Sequence, residues 1–507
     1  MNDLETKTAS PAPPPDKPFK KVLIANRGEI ALRVLRALQQ LDIASVAIYH
    51  HSDQHSPVVQ QADEAIEILG DTPSAAHLDG QQIIEFCQQL NVDAVHPCYG
   101  FLSENAAFAR ALEQAGITFI GPEASIIELM GDKITSRTFV ADHGFPVPPS
   151  VNLEPDHPDF ISSIVAMGFP VVVKASAGGG GKGMSIVHSQ DELEDALRIA
   201  SSEAEKYFGD KRVYVEKYFT SARHIEVQVL GDGQQVVHLG ERECSIQRRF
   251  QKVIEEAPSP ALNDITRREI CETARGIAQS AGYNSAGTVE FLYTPEGEYY
   301  FLEMNTRIQV EHPVTEMTFG VDLVCEQIHI ATGRPLSFKQ EELSSSGHAI
   351  ECRICAEDAF NDFMPETGKV LFLKEPYGQG LRFDSSLYQN QAITSAFDPM
   401  LAKLIVHADT RQEAIEEMRQ ALGDLVILGV KHNADYLDAI LRHEQFAAGH
   451  FDTGFIQHYA SDLTATQPEN KKELHAILAT AQLGERNNRL LAEATPELHA
   501  AIGHWRN

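Results

Sequence analysis

Positive charge is in short supply: 42 Lys plus Arg stand against 72 Asp plus Glu, a formal net charge of −30 over 507 residues. That balance argues against nucleic acid or an anionic membrane as main partner, although a local cationic pocket can still hold a nucleotide. Cysteine is scarce as well. Seven in a chain of this length make no disulfide framework and suit the cytoplasm or another reducing compartment. The one C-x-x-C, Cys352 and Cys355, has no second pair to complete a zinc site, and in a strand its spacing turns the two thiols to opposite faces. No apolar run is long enough to span a membrane. The opening MNDLETKTASPAPPPDKPF lacks the apolar stretch of a secretory signal, and its proline content marks residues 1–18 as a disordered leader. The dinucleotide fingerprint is also missing: Asn26-Arg27-Gly28-Glu29 follows the first strand where G-x-G-x-x-G would be needed.

What is there reads as two to four domains. Residues 21–26 (KVLIAN) form a buried strand. Glu29 then opens a helix with apolar residues at Ile30, Val34, Leu35, Leu38 and Leu41. Strands at Ser45–Tyr49, Val92–His96 and Ile117–Ile120 alternate with helices at 80–90 and Glu104–Gln114, which predicts a parallel, doubly wound sheet, Rossmann-like but without the dinucleotide site. From about Val171 the pattern changes. Strands at Val171–Lys174, Arg212–Tyr218, His224–Leu230 and Val236–Glu241 follow with few helices between, an α+β signature. Residues 347–462 mix short strands with a helix at 411–422, and 463–507 read as a helical tail.

Three segments carry chemistry. Ala177-Gly178-Gly179-Gly180-Gly181-Lys182-Gly183-Met184 follows a strand and can fold closely over phosphates, donating backbone N–H groups. It is not a P-loop, because Ser176 stands where the first glycine belongs and Gly183 replaces the magnesium-holding Ser or Thr. Residues 287–304 read as a hairpin turning near Pro295–Gly297. That places Glu290 opposite Glu303 on one face, where two carboxylates repel unless a cation such as magnesium lies between them. If the chain stays extended, Glu303, Asn305, Arg307, Gln309 and Glu311 line that same face. Finally, the cations of the segment from Glu241 to Lys252 could steady an anion such as bicarbonate.

The run from Ile24 to Ala31, His96-Pro97 with Tyr99–Asn105, Met130-Gly131-Asp132-Lys133, the glycine loop, Gln247-Arg248-Arg249, Glu303–Glu316 and Glu351-Cys352-Arg353 together resemble biotin carboxylase, an ATP-grasp ligase, from about residue 19 to 460. The resemblance implies a Rossmann-like domain at 19–131, an ATP-grasp domain at 132–335 with a mobile lid at about 148–220, and a mixed α/β domain at 347–462. It implies ATP, two magnesium or manganese ions, bicarbonate and carried biotin. Lys133 and Lys174 would hold the phosphates beneath a lid containing Gly178, Gly179, Gly180, Gly181, Gly183 and Met184. Glu216 and Lys217 would contact adenine, with His224 and Gln247 nearby. Glu290 and Glu303 would bind metal, helped by Asn305. Lys252, Arg307, Gln309 and Val310 would hold bicarbonate and Glu311 would be its general base. Arg353 would stabilise the biotin enolate, with Tyr99 close to the ring. Cys98, Phe250 and Cys355 depart from the common family residues Gly, His and Asn.

Within the family, Phe451-Asp452-Thr453-Gly454-Phe455-Ile456 is similar to the α subunits of methylcrotonyl- and propionyl-CoA carboxylases. Expected partners are a second copy in a homodimer or larger complex, a biotin carboxyl carrier protein or domain, and a carboxyltransferase subunit. No Ala-Met-Lys-Met or close variant occurs in these 507 residues, so the chain is expected to carry no biotin itself. Two rivals stand beside this reading. Another ATP-grasp carboxylating ligase should lack the Arg307–Glu311 run and Arg353, and a silent nucleotide-binding paralogue should have lost a catalytic charge.

Overall fold

The computed structural model describes residues 18–151, 157–176 and 184–464. Gly178, Gly179, Gly180, Gly181 and Gly183, nearly all of the expected leader and nearly all of the expected tail lie outside the described residues.

The alternating N-terminal segment forms a five-stranded parallel sheet, in the order Glu64–Glu67, Ala44–Tyr49, Lys21–Ile24, Ala94–His96, Thr118–Phe119. The helix Gly28–Gln40 buries Ile30, Val34, Leu35 and Leu38, the face its spacing assigns to the core. Where the first strand ends, Asn26 Nδ2 donates to the carbonyls of Pro97 (3.0 Å) and Tyr99 (2.7 Å), which ties the loop bearing Tyr99 to the sheet. Cys98 in that loop is left-handed (φ 61°), a conformation that favours glycine; this is the physical content of its departure from the common family residue.

A second, four-stranded antiparallel sheet takes the order Ser150–Val151, Val213–Lys217, Val171–Ala175, Met184–Val187. The third sheet has eight antiparallel strands and dominates the molecule. It runs Tyr299–Asn305, Ala286–Tyr293, Arg223–Gly231, Val236–Arg248, Gln251–Ala257, His348–Cys355, Met400–Ala408, Leu381–Ser385. The strand Gln251–Ala257 pairs directly with His348–Cys355, so residues on either side of position 340 share one sheet. Cys352 is buried, Cys355 is partly exposed, and neither belongs to a potential metal-binding cluster among the described residues.

Helices Leu193–Phe208 and Asp264–Ser280 interrupt a region whose sequence reads mainly as strands. The second had a visible signal. Asn263 caps it by accepting from the backbone of Ile265 and Thr266, and Ile270, Ala274, Ile277 and Ala278 form a buried stripe at helical spacing.

One buried ion pair locks the eight-stranded sheet to the helix Arg411–Asp424. Arg411 donates to Glu256 at 2.6 and 3.0 Å, and His348 Nε2 lies 2.6 Å from the same carboxylate. Burial opposes ionisation of Glu256, but Arg411 and His348 outweigh it and bring the carboxyl from 4.5 down to about 2. A depressed carboxylate contributes stability above its unfolded value and loses it as pH falls through the folded one. Arg411→Met is therefore expected to cost about 3 kcal/mol near neutrality, with the deficit shrinking as denaturation is repeated toward pH 2; a deficit independent of pH would contradict this.

Candidate active site

The edge strand Tyr299–Asn305 of the large sheet and its neighbour Ala286–Tyr293 form the 286–305 hairpin. Thr294 and Glu298 close its turn, with Gly297 left-handed (φ 86°). Near the turn Tyr293, Leu292 and Phe291 face Tyr299, Tyr300 and Phe301; a bulge then leaves Leu302 over and brings Glu290 opposite Glu303. The expected carboxylate pair is thus realised, through a bulge that the turn alone does not reveal. Asn305 Nδ2 and Gln309 Nε2 each donate to Glu290 Oε1 at 2.8 Å. Lys133 pairs with Glu303, Lys252 Nζ lies 3.3 Å from Glu290, and His224 Nε2 lies 2.9 Å from it. Opposed carboxylates with an adjacent amide are a hard-oxygen donor set, and residues of this type fit magnesium or manganese.

Beyond Asn305 the expectation of an extended strand fails. The strand ends there, and Thr306–Glu311 turn into the helix His312–Phe319, with Pro313 in its first turn. Gln309, Val310 and Glu311 all line the same cleft, which consecutive residues of a strand could not do. Two cations hold the turn. Lys403 Nζ donates to the carbonyl of Val310 at 2.8 Å, and Arg242 donates to Gln309 Oε1 at 2.7 Å. Arg307 leaves the line and donates to Glu104 (2.8 Å) and Asn305 Oδ1 (2.9 Å).

The segment read as a basic cluster is a hairpin made of Val236–Arg248 and Gln251–Ala257. Its two-residue turn is Arg249-Phe250, both left-handed (φ 49° and 65°), as a tight turn of this kind requires. Most of its cations are engaged with protein. Arg248 donates to Glu357 at 2.9 Å, and Arg249 to Asp362 at 3.1 Å. Lys252 also pairs with protein, donating to Glu226 and to Glu311, a carboxylate that itself lines the cleft.

Glu311 sits between two cations, Lys252 on one oxygen and Arg353 (2.8 Å) on the other. Burial works against its ionisation, yet Lys252, Arg353 and Arg242 prevail and hold the carboxyl well below the usual carboxylate range. Arg353 is aimed from behind: its Nε donates to Glu255 at 2.6 Å, while Asn433 Nδ2 donates to its carbonyl at 2.9 Å.

At the other end of the cleft Lys174 and Arg137 both pair with the buried Glu216. Lys217 Nζ donates to the carbonyls of Gly168 (3.1 Å) and Phe169 (3.2 Å), and Gln247 Nε2 to that of Cys244 (2.8 Å). The side chains of Glu216 and Lys217 expected at adenine are thus engaged with protein groups. Tyr99 OH donates to Glu29, and burial, then Glu29, push its pKa well up. Every expected site residue among those described lines one cleft of about 530 Å³, from Lys133, Lys174, Met184 and Lys217 to Arg353 and Tyr99.

Sequence reasoning missed the groups that hold these residues. Arg242, 0% exposed, donates to Glu226 (2.5 Å), Gln228 (2.8 Å), Thr315 (2.9 Å), Thr288 (3.0 Å) and Gln309. Glu226 and Gln228 are polar residues alternating with Ile225, Val227 and Val229, which was the available signal; Arg137 and Glu255 gave none.

Residues 132–339 match the family described as carbamoyl-phosphate synthase L chain, ATP binding domain. Taken alone, that match leaves the rival ligase open. The flanks decide: residues 18–127 match the biotin carboxylase N-terminal domain and 351–458 the biotin carboxylase C-terminal domain. The chain belongs to the biotin carboxylase family. It is 46% identical over 489 residues to one of the subunits of pyruvate carboxylase from Methanothermobacter thermautotrophicus, covering 96% of this chain and 99% of that protein. It is 45% identical to biotin carboxylase 1 of Bacillus subtilis, covering 87% of this chain and 99% of that protein. The biotin carboxylase domain dimer of Hydrogenobacter thermophilus 2-oxoglutarate carboxylase, solved with MgADP, ADP and bicarbonate, superposes with a TM-score of 0.86 at 43% identity, over 89% of this chain and 100% of that one. The biotin carboxylase fold thus unites the parallel N-terminal sheet with the antiparallel ATP-grasp region. No helix among the described residues is long and apolar enough to cross a membrane.

Proposed function

We propose that this ATP-grasp ligase carboxylates biotin on a carrier, using ATP and bicarbonate, through the residues gathered in this cleft. The observation that carries the reading is Glu311 held ionised between Lys252 and Arg353, beside the Glu290–Glu303 pair. Lys133 and Lys174 would steady the phosphates, and a divalent ion held by Glu290, Glu303 and Asn305 would neutralise charge on them. Bicarbonate, itself an anion, would be drawn to Lys252 with Arg307 and Gln309 nearby. As Lys252 turns to the incoming anion, Glu311 loses part of the charge that suppresses its proton affinity and can accept the bicarbonate proton. The bicarbonate oxygen then attacks the γ-phosphorus and ADP leaves. The resulting carboxyphosphate splits into carbon dioxide and phosphate. Phosphate takes the biotin N–H proton, Arg353 pairs with the charge developing on the ureido oxygen, and the nitrogen attacks carbon dioxide.

The test is ADP release and acid-labile carboxybiotin measured with each of bicarbonate, magnesium and biotin left out in turn. Carboxybiotin should form only with all three; ADP release indifferent to bicarbonate would overturn the proposal.

A carrier, a carboxyltransferase and a second copy of the chain are the proposed partners. Two acceptors are in view. The similarity of 451–456 to acyl-CoA carboxylase subunits favours an acyl-CoA, but Phe451, Phe455 and Ile456 pack in the core, where they report on folding. Similarity along 96% of the chain to the Methanothermobacter pyruvate carboxylase protein favours pyruvate. Assaying the biotinylated complex that co-purifies with the chain on pyruvate and on short acyl-CoAs separates them.

A further inference from the structure

Behind Arg353 lies a pair of carboxylates that the reaction as written does not use. The antiparallel pairing of Gln251–Ala257 with His348–Cys355 sets Glu255 directly opposite Glu351, and both are 0% exposed. Glu255 Oε1 accepts from Arg353 Nε. Its Oε2 and both oxygens of Glu351 are buried with no hydrogen-bond donor among the described residues. Two ionised carboxylates can only accept, so they cannot satisfy each other, and like charges directly opposed across a sheet repel. One proton between them supplies the missing donor and removes one of the two charges.

The surroundings agree with this count. Facing the pair from its own strands are Lys252 and Arg353. Lys403 faces it from the neighbouring strand Met400–Ala408, and Glu311 from the turn. Arg242 and Cys244 lie on the strand Val236–Arg248, and His312, which burial holds neutral, on the helix beneath. None of these cations is free for the pair alone: Lys252 bonds Glu226 and Glu311, Lys403 bonds the Val310 carbonyl and lies 3.2 Å from Glu29, and Arg242 bonds Glu226. Burial pushes Glu351 well above the usual carboxylate range and Glu255 up to about 7.

We propose that Glu255 and Glu351 share one proton and act as a positioning pair for Arg353, Glu255 holding its Nε and the Nη2 that also reaches Glu311, so that Nη1 is left to substrate. The inference rests on the proposed role of Arg353 toward biotin. With a second negative charge, the pair would draw the guanidinium inward, away from the ureido oxygen. Biotin use should therefore fail as alkali removes the shared proton, and the stability contributed by the protonated form is lost in the same direction, as pH rises above neutrality through the raised range of Glu351.

The experiment uses the full chain and free biotin. Glu351→Leu removes the hydrogen offered to Glu255 and is expected to raise the KM for biotin about tenfold or more, the scale of a lost bond to a charged group. Glu351→Gln keeps an N–H in that place, so its KM should rise less than about threefold, and the alkaline limb of its biotin-dependent turnover should move up by at least about one pH unit. Infrared difference spectroscopy on wild type against Glu351→Gln should show a buried carboxylic acid at neutral pH that the variant lacks; this arm needs no function of Arg353 and still decides if Glu351→Leu fails to fold. Equal effects of Gln and Leu, an unmoved alkaline limb, or absence of the acid band would each overturn the shared proton. If Arg353→Met left biotin dependence intact while the band was present, the shared proton would stand and the proposed role of Arg353 would fall.

Discussion

Glu311→Gln should lower bicarbonate-dependent ATP cleavage by about 10²- to 10⁴-fold, the usual cost of losing a general base, while nucleotide binding is little changed. The substitution preserves shape. It still offers one oxygen, to Lys252 or Arg353, and each cation keeps a carboxylate of its own, Glu226 for Lys252 and Glu255 for Arg353, but it cannot accept the bicarbonate proton. Nucleotide binding should survive because the expected phosphate contacts, Lys133 and Lys174, pair with Glu303 and Glu216 and not with Glu311. Stopped-flow nucleotide binding and steady-state ADP release on the same preparation separate the two effects. Near-normal turnover would remove Glu311 from the chemistry.

The second large effect is expected at the carboxylate hairpin, and it should be unequal. Glu303 pairs with Lys133 alone among the described cations, whereas Glu290 is approached by Lys252, His224, Asn305 and Gln309. Glu290→Gln should therefore lose metal affinity and also loosen Gln309, the residue that Arg242 holds beside Glu311. Turnover at low magnesium is expected to fall about 10²-fold for Glu290→Gln and about tenfold for Glu303→Gln, within the range that losing a ligand or its supporting bonds produces. Raising magnesium should recover more of the Glu303 variant than of the Glu290 variant. Wild-type magnesium dependence in both would dissolve the proposed metal site.

The sequence made some of this legible because local rules sufficed. Turn residues near Gly297 and two carboxylates at mirrored distances point to a hairpin, and the period of Ile30, Val34, Leu35 and Leu38 points to a helix on a sheet. The reading failed where long-range contacts decide. Alternation from Glu303 to Glu311 looked like strand, but strand pairing stops at Asn305, opposite Thr288, and bonds from Lys403 and Arg242, distant in sequence, shape the turn that follows. The cations of 241–252 looked alike in sequence. Burial and pairing separate them: Arg242 is a structural hub, Arg248 and Arg249 pair toward the 357–363 region, and Lys252 reaches Glu311 in the cleft. Glu255 and Glu351 could not be seen as a pair at all, because their meeting depends on two strands almost a hundred residues apart.

The central claim is that a bicarbonate oxygen attacks the γ-phosphorus of ATP in this cleft. The most direct measurement supplies ¹⁸O-labelled bicarbonate with unlabelled ATP, magnesium and biotin, and determines by mass spectrometry where the label goes during turnover. The account predicts one ¹⁸O in each phosphate released, because the oxygen joining carbon to phosphorus in carboxyphosphate stays with phosphorus when that intermediate splits; phosphate released without label during active carboxylation would contradict it.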